Sequence, residues 1–271
     1  MRKVGRKMSM LFVVAVFSFV AVGSAWAVDP MLEVVGMAQK IADAKAFTVT
    51  MHMGYDVVQK SGQKLEFQEL RKVVLSRPNY IRVDAKQSDG DEGGLIYDGE
   101  TITQFSKTAK VYGQVPLKGS VDDMVRFAVA RLDVRIPLAR MLVTTFPQEI
   151  KKLTTEIFYV ERDVLGQVPT DHIAGRTEDV DYQVWIGEDK LPRRIVLTYK
   201  NLPGQPQFWA NFTDWNLSPK VSKEMFTFKP PRDWEKIPVL MPAPAKATPG
   251  EKVSKPAKES KPPITKSPVK K

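Results

Sequence analysis

The stretch "FTVTMHMGYDV", Phe47 to Val57, alternates apolar and polar side chains with a period of two. Successive side chains of a β-strand point to opposite faces, so this pattern predicts a strand with one buried and one solvated face. Such strands are typical of antiparallel sheets, because a parallel sheet is covered on both sides. The apolar face consists of the odd-numbered residues Phe47, Val49, Met51, Met53, Tyr55 and Val57.

Segments of similar pattern follow at the spacing of β-hairpins. We predict strands near 64–76, 79–86, 93–98, 101–106 and 109–115 and, after a break, near 155–163, 168–175, 179–187, 191–200 and 206–216. Phe226 and Phe228 indicate one further short strand. A helix precedes the first strand, because Asp29 can cap it and apolar residues recur at helical spacing from Met31 to Ala42. The predicted fold class is mainly β with helices, as a single curved antiparallel sheet of about eleven strands that forms a half-open barrel.

The break between the two groups of strands predicts a mid-chain helical lid. Ser120 and Asp123 form a capping box, and the helix that follows is expected to reach about Val134. After Pro137, the segment "LARMLVTTF" predicts a second short apolar helix. Apolar residues cover most of the circumference of the first helix, so it should contact more than one surface. Two interpretations stay open: a helix pair in an ordinary core, or a lid over a cavity in the sheet.

The two ends of the chain differ in composition from its middle. Residues 1–27 combine a basic start, an apolar run and the small-residue ending "SAWA", which predicts a secretory signal peptide cleaved after Ala27. Residues 242–271 hold eight Lys and seven Pro and no aromatic residue, so we expect a disordered tail. The folded domain should span 28–241, and the protein should be periplasmic.

The charge distribution and the missing motifs exclude several classes of function. Of the net charge of +10, four charges lie in the signal and six in the tail, so the predicted domain carries none. Nucleic-acid binding is therefore not expected. The sequence has no cysteine, no Gly-x-Ser-x-Gly elbow, no phosphate-binding glycine loop and no histidine pair at metal-ligand spacing. We expect a protein that is not an enzyme and has no catalytic residues, cofactor or metal.

Three short motifs stand in an order that resembles a known family. They are the Arg77-Pro78 pair at the end of a predicted strand, "LIYDGETI" at 95–102 and "PLARML" at 137–142. With the signal, the first helix and the mid-chain insertion, this order resembles the periplasmic carriers of outer-membrane lipoproteins, the LolA/LolB-like half-barrel. The ending "FTFKPP", at 226–231, is more similar to an uncharacterised group of predicted periplasmic proteins.

The resemblance implies an apolar cavity for acyl chains and a latch that closes it. Carried over to this chain, the latch is Arg77, bonded to the insertion; an exposed arginine at a strand end is the alternative. Glu69 and Arg71 depart from the pattern, because they are polar residues on the apolar side of their strand. The residues expected to contact a ligand are Met51, Met53 and Leu75 from the sheet and Met124, Phe127 and Leu132 from the lid.

Two functions remain after these exclusions. The first is a monomeric carrier or envelope sensor that binds a lipid or the acyl chains of a lipoprotein. The second is a scaffolding protein of the envelope, with a solid core and a cationic tail that docks on anionic lipid or cell wall. An apolar cavity of several hundred Å³ would favour the first, because ligand pockets fall in that range.

Overall fold

The computed structural model describes residues 28–131 and 137–239. Within these residues the α-helices are α1 (Pro30–Asp43), α2 (Val121–Arg131) and α3 (Phe146–Leu153). The strands are β1 (Ala46–Val58), β2 (Lys64–Ser76), β3 (Tyr80–Gln87), β4 (Glu92–Tyr97), β5 (Thr101–Ser106), β6 (Val111–Pro116), β7 (Glu156–Leu165), β8 (Val168–Arg176), β9 (Val180–Gly187), β10 (Pro192–Tyr199), β11 (Gln207–Asn216) and β12 (Glu235–Lys236). No helix in this part of the chain has the length and apolar content needed to cross a membrane.

All of these strands belong to one open, curved sheet, in the order β12-β6-β5-β4-β3-β2-β1-β11-β10-β9-β8-β7. Neighbouring strands are antiparallel, except that β12 runs parallel to β6. The long strand β1 lies in the middle because it pairs with β2 on one side and with β11 on the other. The predicted fold class is confirmed, and the strand number differs from the prediction by the two-residue β12.

The alternation in β1 divides the sheet into two faces. Phe47, Val49 and Met53 are nearly inaccessible to solvent, whereas His52 is exposed. Helix α1 packs on the same side as Phe47, and we call this side of the sheet the inner face. Burying an aliphatic side chain such as Ile41 of α1, which is 1% exposed, contributes about 1.5–3 kcal/mol to folding. The helix begins as predicted, since the Asp29 carboxylate accepts hydrogen bonds from two backbone amides of its first turn.

The mid-chain insertion begins as predicted and continues differently. The Ser120 hydroxyl accepts a hydrogen bond from the Asp123 amide, and the Asp123 carboxylate accepts from the Ser120 amide, so the capping box is confirmed. The prediction of a short helix over the segment "LARMLVTTF" is wrong. Only Ala139–Leu142 form a 3-10 turn, Val143 is extended, and helix α3 starts at Phe146, where Pro147 suits a first turn.

The predicted strand at Phe226 and Phe228 is also wrong. Phe226 ends a 3-10 turn, and its ring stacks on Tyr80 at 5.2 Å, while Phe228 stacks on Phe105 at 5.5 Å. These rings form a second cluster with Ile96, separate from the main core. The alternating aromatic pattern therefore comes from side chains that pack onto the sheet, and β12 takes the edge position beside β6.

Candidate functional site

The cross-strand pairs of β1 and β2 on the inner face change in polarity and burial along the strands. Residues directly opposite each other on this face are the pairs Phe47–Leu75, Val49–Val73, Met51–Arg71, Met53–Glu69, Tyr55–Phe67 and Val57–Leu65. The first two pairs are buried in the main core, and the last two pairs are about 40% exposed. An acid and a cation therefore interrupt an otherwise apolar ladder at the point where it leaves the core.

An apolar cavity of about 80 Å³ lies between the buried part of this ladder and the insertion. Its wall is formed by Ile41, Phe47, Val49, Met51, Arg71, Val73, Val83, Pro137, Leu138, Ala139, Met141, Leu142, Phe212 and Trp215. We call it the inner cavity. The Trp215 ring is held in this wall by a hydrogen bond from its indole nitrogen to the Pro192 carbonyl, 3.1 Å, and by stacking on Phe212.

A wider and more polar cavity of about 360 Å³ adjoins the inner one. We call it the outer cavity, and it is lined by Met53, Tyr55, Asp56, Glu69, Arg71, Pro137, Tyr199, Leu202, Pro206, Gln207 and Phe208. The two cavities share Arg71 and Pro137, so these two residues mark the boundary between them.

Glu69 and Arg71 form a bidentate ion pair at this boundary. The Arg71 Nε donates to Glu69 Oε1 at 2.7 Å, and Nη2 donates to Oε2 at 3.0 Å. The Glu69 side chain is 12% exposed, and the Arg71 side chain is 27% exposed. The two residues are two positions apart in β2 and so point to the same face, which brings their charged groups together.

Arg77 connects the sheet to the insertion through Asp122 of α2. The Arg77 Nη1 lies 3.5 Å from Asp122 Oδ1, and both side chains are almost completely buried. Burial lowers the pKa of the Arg77 guanidinium, and the negative charge of Asp122 opposes this shift. The other two guanidinium nitrogens are buried and have no hydrogen-bond partner in the part of the chain that is described.

Asp122 also holds the far end of the insertion. Its carboxylate accepts hydrogen bonds from the backbone amide and the hydroxyl of Thr144, and Arg126 lies 3.9 Å away. The amide of Val121 donates to the Pro78 carbonyl at 2.7 Å. One carboxylate therefore links the end of β2, the first turn of α2 and the segment before α3.

The structure places the residues expected to contact a ligand in different environments. Met51 lines the inner cavity and Met53 the outer one. Leu75 and Met124 are packed in the main core rather than on a cavity wall, and Phe127 packs against that core. Leu132 lies outside the described residues. Contact between these side chains and a ligand stays a prediction.

Sequence reasoning missed most of the cavity wall. Pro137, Leu138 and Met141 come from the insertion, and Ile41 comes from α1, so only the tertiary packing brings them to the sheet. Leu138 has a φ of 65°, a left-handed conformation that is uncommon for a residue with a side chain. The pairing of Asp122 with Arg77 depends on where α2 lies, so the sequence alone does not show it.

A separate group of polar side chains lies on β7 and β8. Ligand atoms of Glu161, Asp163 and His172 lie within 4.8 Å of one another. Asp163 already accepts a hydrogen bond from the Trp185 indole, and His172 bonds to Gln183 and stacks on Trp185. These contacts give the histidine and Asp163 structural partners, and we assign no metal to this group.

The chain is similar to several solved structures at low sequence identity. The lipoprotein LppX of Mycobacterium tuberculosis has 10% identity and a TM-score of 0.44, over 71% of this chain and 97% of that one. LprF of Mycobacterium bovis has 10% identity and a TM-score of 0.44, over 72% and 98%. A LolA superfamily protein of Nitrosomonas europaea has 10% identity and a TM-score of 0.37, over 74% and 99%. No curated protein matches the sequence.

A family model matches most of the predicted domain. The match covers residues 34–240, from within α1 to beyond β12, and the family is described as a predicted periplasmic protein, DUF2092. The expected similarity to a group of predicted periplasmic proteins is thereby confirmed. This chain belongs to the DUF2092 family of predicted periplasmic proteins.

Proposed function

We propose that this protein is a non-enzymatic binding protein for a hydrophobic ligand in the bacterial periplasm. The ligand is a lipid or the acyl chains of a lipoprotein, and the protein acts as a carrier or as a sensor of the envelope. The observation that supports the proposal is the inner cavity, whose wall is apolar apart from Arg71. Binding sites for small ligands are concave and mostly apolar, with a few polar groups that fix the orientation of the ligand.

The size of the inner cavity requires that the insertion moves when a ligand binds. Its volume of about 80 Å³ is below the usual range for ligand sites, about 300–1,000 Å³. Pro137, Leu138 and Met141 form one side of the wall, so displacing residues 120–145, the lid, enlarges the cavity. The contact between Arg77 and Asp122 holds the lid against the sheet and acts as a latch.

The family description and the composition of residues 1–27 support the proposed periplasmic location. The family is described as periplasmic. Residues 1–27 have the composition of a signal peptide, and the proposal includes its removal after Ala27.

A second candidate function is a scaffold of the envelope. The small volume of the inner cavity favours it, because a core filled by its own side chains has no space for a ligand. In this case, the cationic residues 242–271 would provide the binding activity by docking on an anionic surface.

A neutral fluorescent probe distinguishes the two functions. N-phenyl-1-naphthylamine should brighten on binding to the wild-type protein, and native mass spectrometry of protein purified without detergent should show bound lipid. Ala139→Leu adds volume inside the inner cavity and should weaken probe binding. Ala130→Leu makes the same change at an exposed position of α2 and should leave binding unchanged. Equal probe binding by both folded variants, or no binding by the wild type, would favour the scaffold.

A further inference from the structure

Within the described residues, Arg71 is the only cation that lines either cavity, and it lines both. It stands at their boundary, with the apolar inner cavity on one side and the wider outer cavity on the other. We propose that Arg71 binds the anionic headgroup of a single-chain amphiphile, a fatty-acid carboxylate, whose chain lies in the inner cavity. This inference rests on the proposed function and names the class of ligand.

The hydrogen bonds of Arg71 leave part of its guanidinium available. A guanidinium has five N–H donors, and the bonds to Glu69 use the one on Nε and one on Nη2. Among the described residues, Glu69 is the only hydrogen-bond partner of this side chain. The remaining donors, on Nη1 and Nη2, form a second fork. Such a fork binds a carboxylate with two parallel hydrogen bonds.

The acidic groups nearby are engaged, and this favours an anionic ligand over a cationic one. Both oxygens of Glu69 accept hydrogen bonds from Arg71. Asp56, the other acid in the outer cavity, accepts a hydrogen bond from the backbone amide of Gln207 at 2.9 Å and lies 3.7 Å from the Lys64 ammonium. A cationic headgroup would have to compete for carboxylates that already have partners, whereas a carboxylate headgroup meets unused donors.

The apolar surroundings increase the contribution of this contact and limit the ligand to an amphiphile. A charged hydrogen bond is stronger where neighbouring side chains exclude water, and the Glu69–Arg71 pair is mostly buried. Met51 and Val73 flank Arg71 on the inner face and offer only apolar contacts. A ligand that fills both environments has an alkyl chain and one charged end.

Displacement of the neutral probe by three twelve-carbon amphiphiles tests the inference. The amphiphiles are dodecanoate, dodecanol and dodecyltrimethylammonium, each added to the full-length protein below its critical micelle concentration. Dodecanoate should bind about 10-fold more tightly than dodecanol, as expected for a hydrogen bond to a charged group. Arg71→Gln should remove this preference, so that dodecanoate and dodecanol displace the probe equally well from that variant. Glu69→Gln should increase the affinity for dodecanoate, because it removes a competing carboxylate.

The pair Arg82 and Asp84 provides a matched control. These residues also lie two positions apart on a neighbouring strand, and they form the same bidentate ion pair at 2.7 and 3.0 Å. Arg82 does not line either cavity, so Arg82→Gln should leave all three affinities unchanged.

The possible results separate this inference from the proposed function. Equal binding of dodecanoate and dodecanol by the wild type, or tighter binding of the cationic amphiphile, would overturn the role of Arg71 and leave the proposed function intact. If the neutral probe does not bind and no amphiphile binds, the proposed function fails as well. A preference for dodecanoate that survives in Arg71→Gln would assign the headgroup to another residue and contradict the inference.

Discussion

Arg77, immediately after β2, and Asp122, in the first turn of α2, form an ion pair in which the nitrogen and oxygen lie 3.5 Å apart and only 11% and 12% of the two side chains are exposed. The pair explains why an arginine follows Val73 and Leu75 on the inner face. Its charge meets an acid of the insertion instead of solvent. Removing one partner of a buried ion pair leaves the other charge uncompensated, so the contact should influence how firmly the insertion is held.

Replacing Arg77 by Leu should loosen the lid. The variant loses a charged contact worth about 1.5 kcal/mol, while the two buried nitrogens without partners are removed, so the loss of stability should be moderate. If closure of the lid limits binding in the wild type, the variant should bind the ligand more tightly. Hydrogen exchange without ligand should be faster in residues 120–145.

Arg126→Leu is the control for this variant. Arg126 contacts the same carboxylate at 3.9 Å but is 54% exposed, so its loss should change stability by only a few tenths of a kcal/mol. Equal exchange rates in wild type and Arg77→Leu would show that Arg77 does not act as a latch.

Replacing Phe127 by Asp should reduce binding of a fluorescent fatty acid. Phe127 packs against the main core from α2, so a carboxylate at this position would weaken the packing of the helix on that core. Val129→Asp places the same charge at a position on α2 that is 45% exposed, and should bind normally. Melting curves of both variants must show that each is folded, and unaltered binding by folded Phe127→Asp would separate this helix from the binding site.

Replacing Gly54 by Ala should destabilise the sheet. A β-carbon at this position would lie 2.6 Å from the Trp209 ring, which crosses β1 here and donates a hydrogen bond to Glu66. Overpacking of this kind costs about 1–3 kcal/mol, measurable by urea denaturation. Gly36→Ala, in α1 and with nothing within 4 Å, should instead stabilise by about 0.5–1 kcal/mol. Two variants with the same stability would contradict the close packing of Trp209.

Truncation before Pro242 should leave the melting temperature unchanged and weaken binding to anionic vesicles. The removed segment carries a net charge of +6, and each lysine near an anionic surface contributes about 1 kcal/mol. Sedimentation with vesicles at low salt measures the difference, which should vanish at high salt because of screening. A large fall in melting temperature would show that the segment is part of the fold.

The sequence predicted local features well because neighbouring residues determine them. The period of two in β1, the Asp29 cap and the Ser120–Asp123 capping box all depend on residues within a few positions of each other. Phe226 was misread for the same reason, since alternating aromatic residues also occur where a segment packs onto a sheet.

The candidate site could be predicted only in part because it is assembled from distant segments. The side of the sheet on which Met51 and Arg71 lie follows from strand parity. The sequence does not show that Pro137 and Leu138 would close the cavity, since this depends on the position of the insertion. Arg77 was identified by resemblance, and its partner Asp122 required the structure.

The place of Arg71 on β2 limits the length of alkyl chain that the inner face can accommodate. Phe47, in the wall of the inner cavity, lies four positions along β1 from Met51, the residue opposite Arg71, and this corresponds to about 13 Å of strand. A chain anchored at Arg71 and directed inward would reach the level of Phe47 over that length. The surplus of a longer chain has to turn back toward Tyr55 and Phe67, where it meets water. Chain length, and not only polarity, should therefore decide which molecules fit.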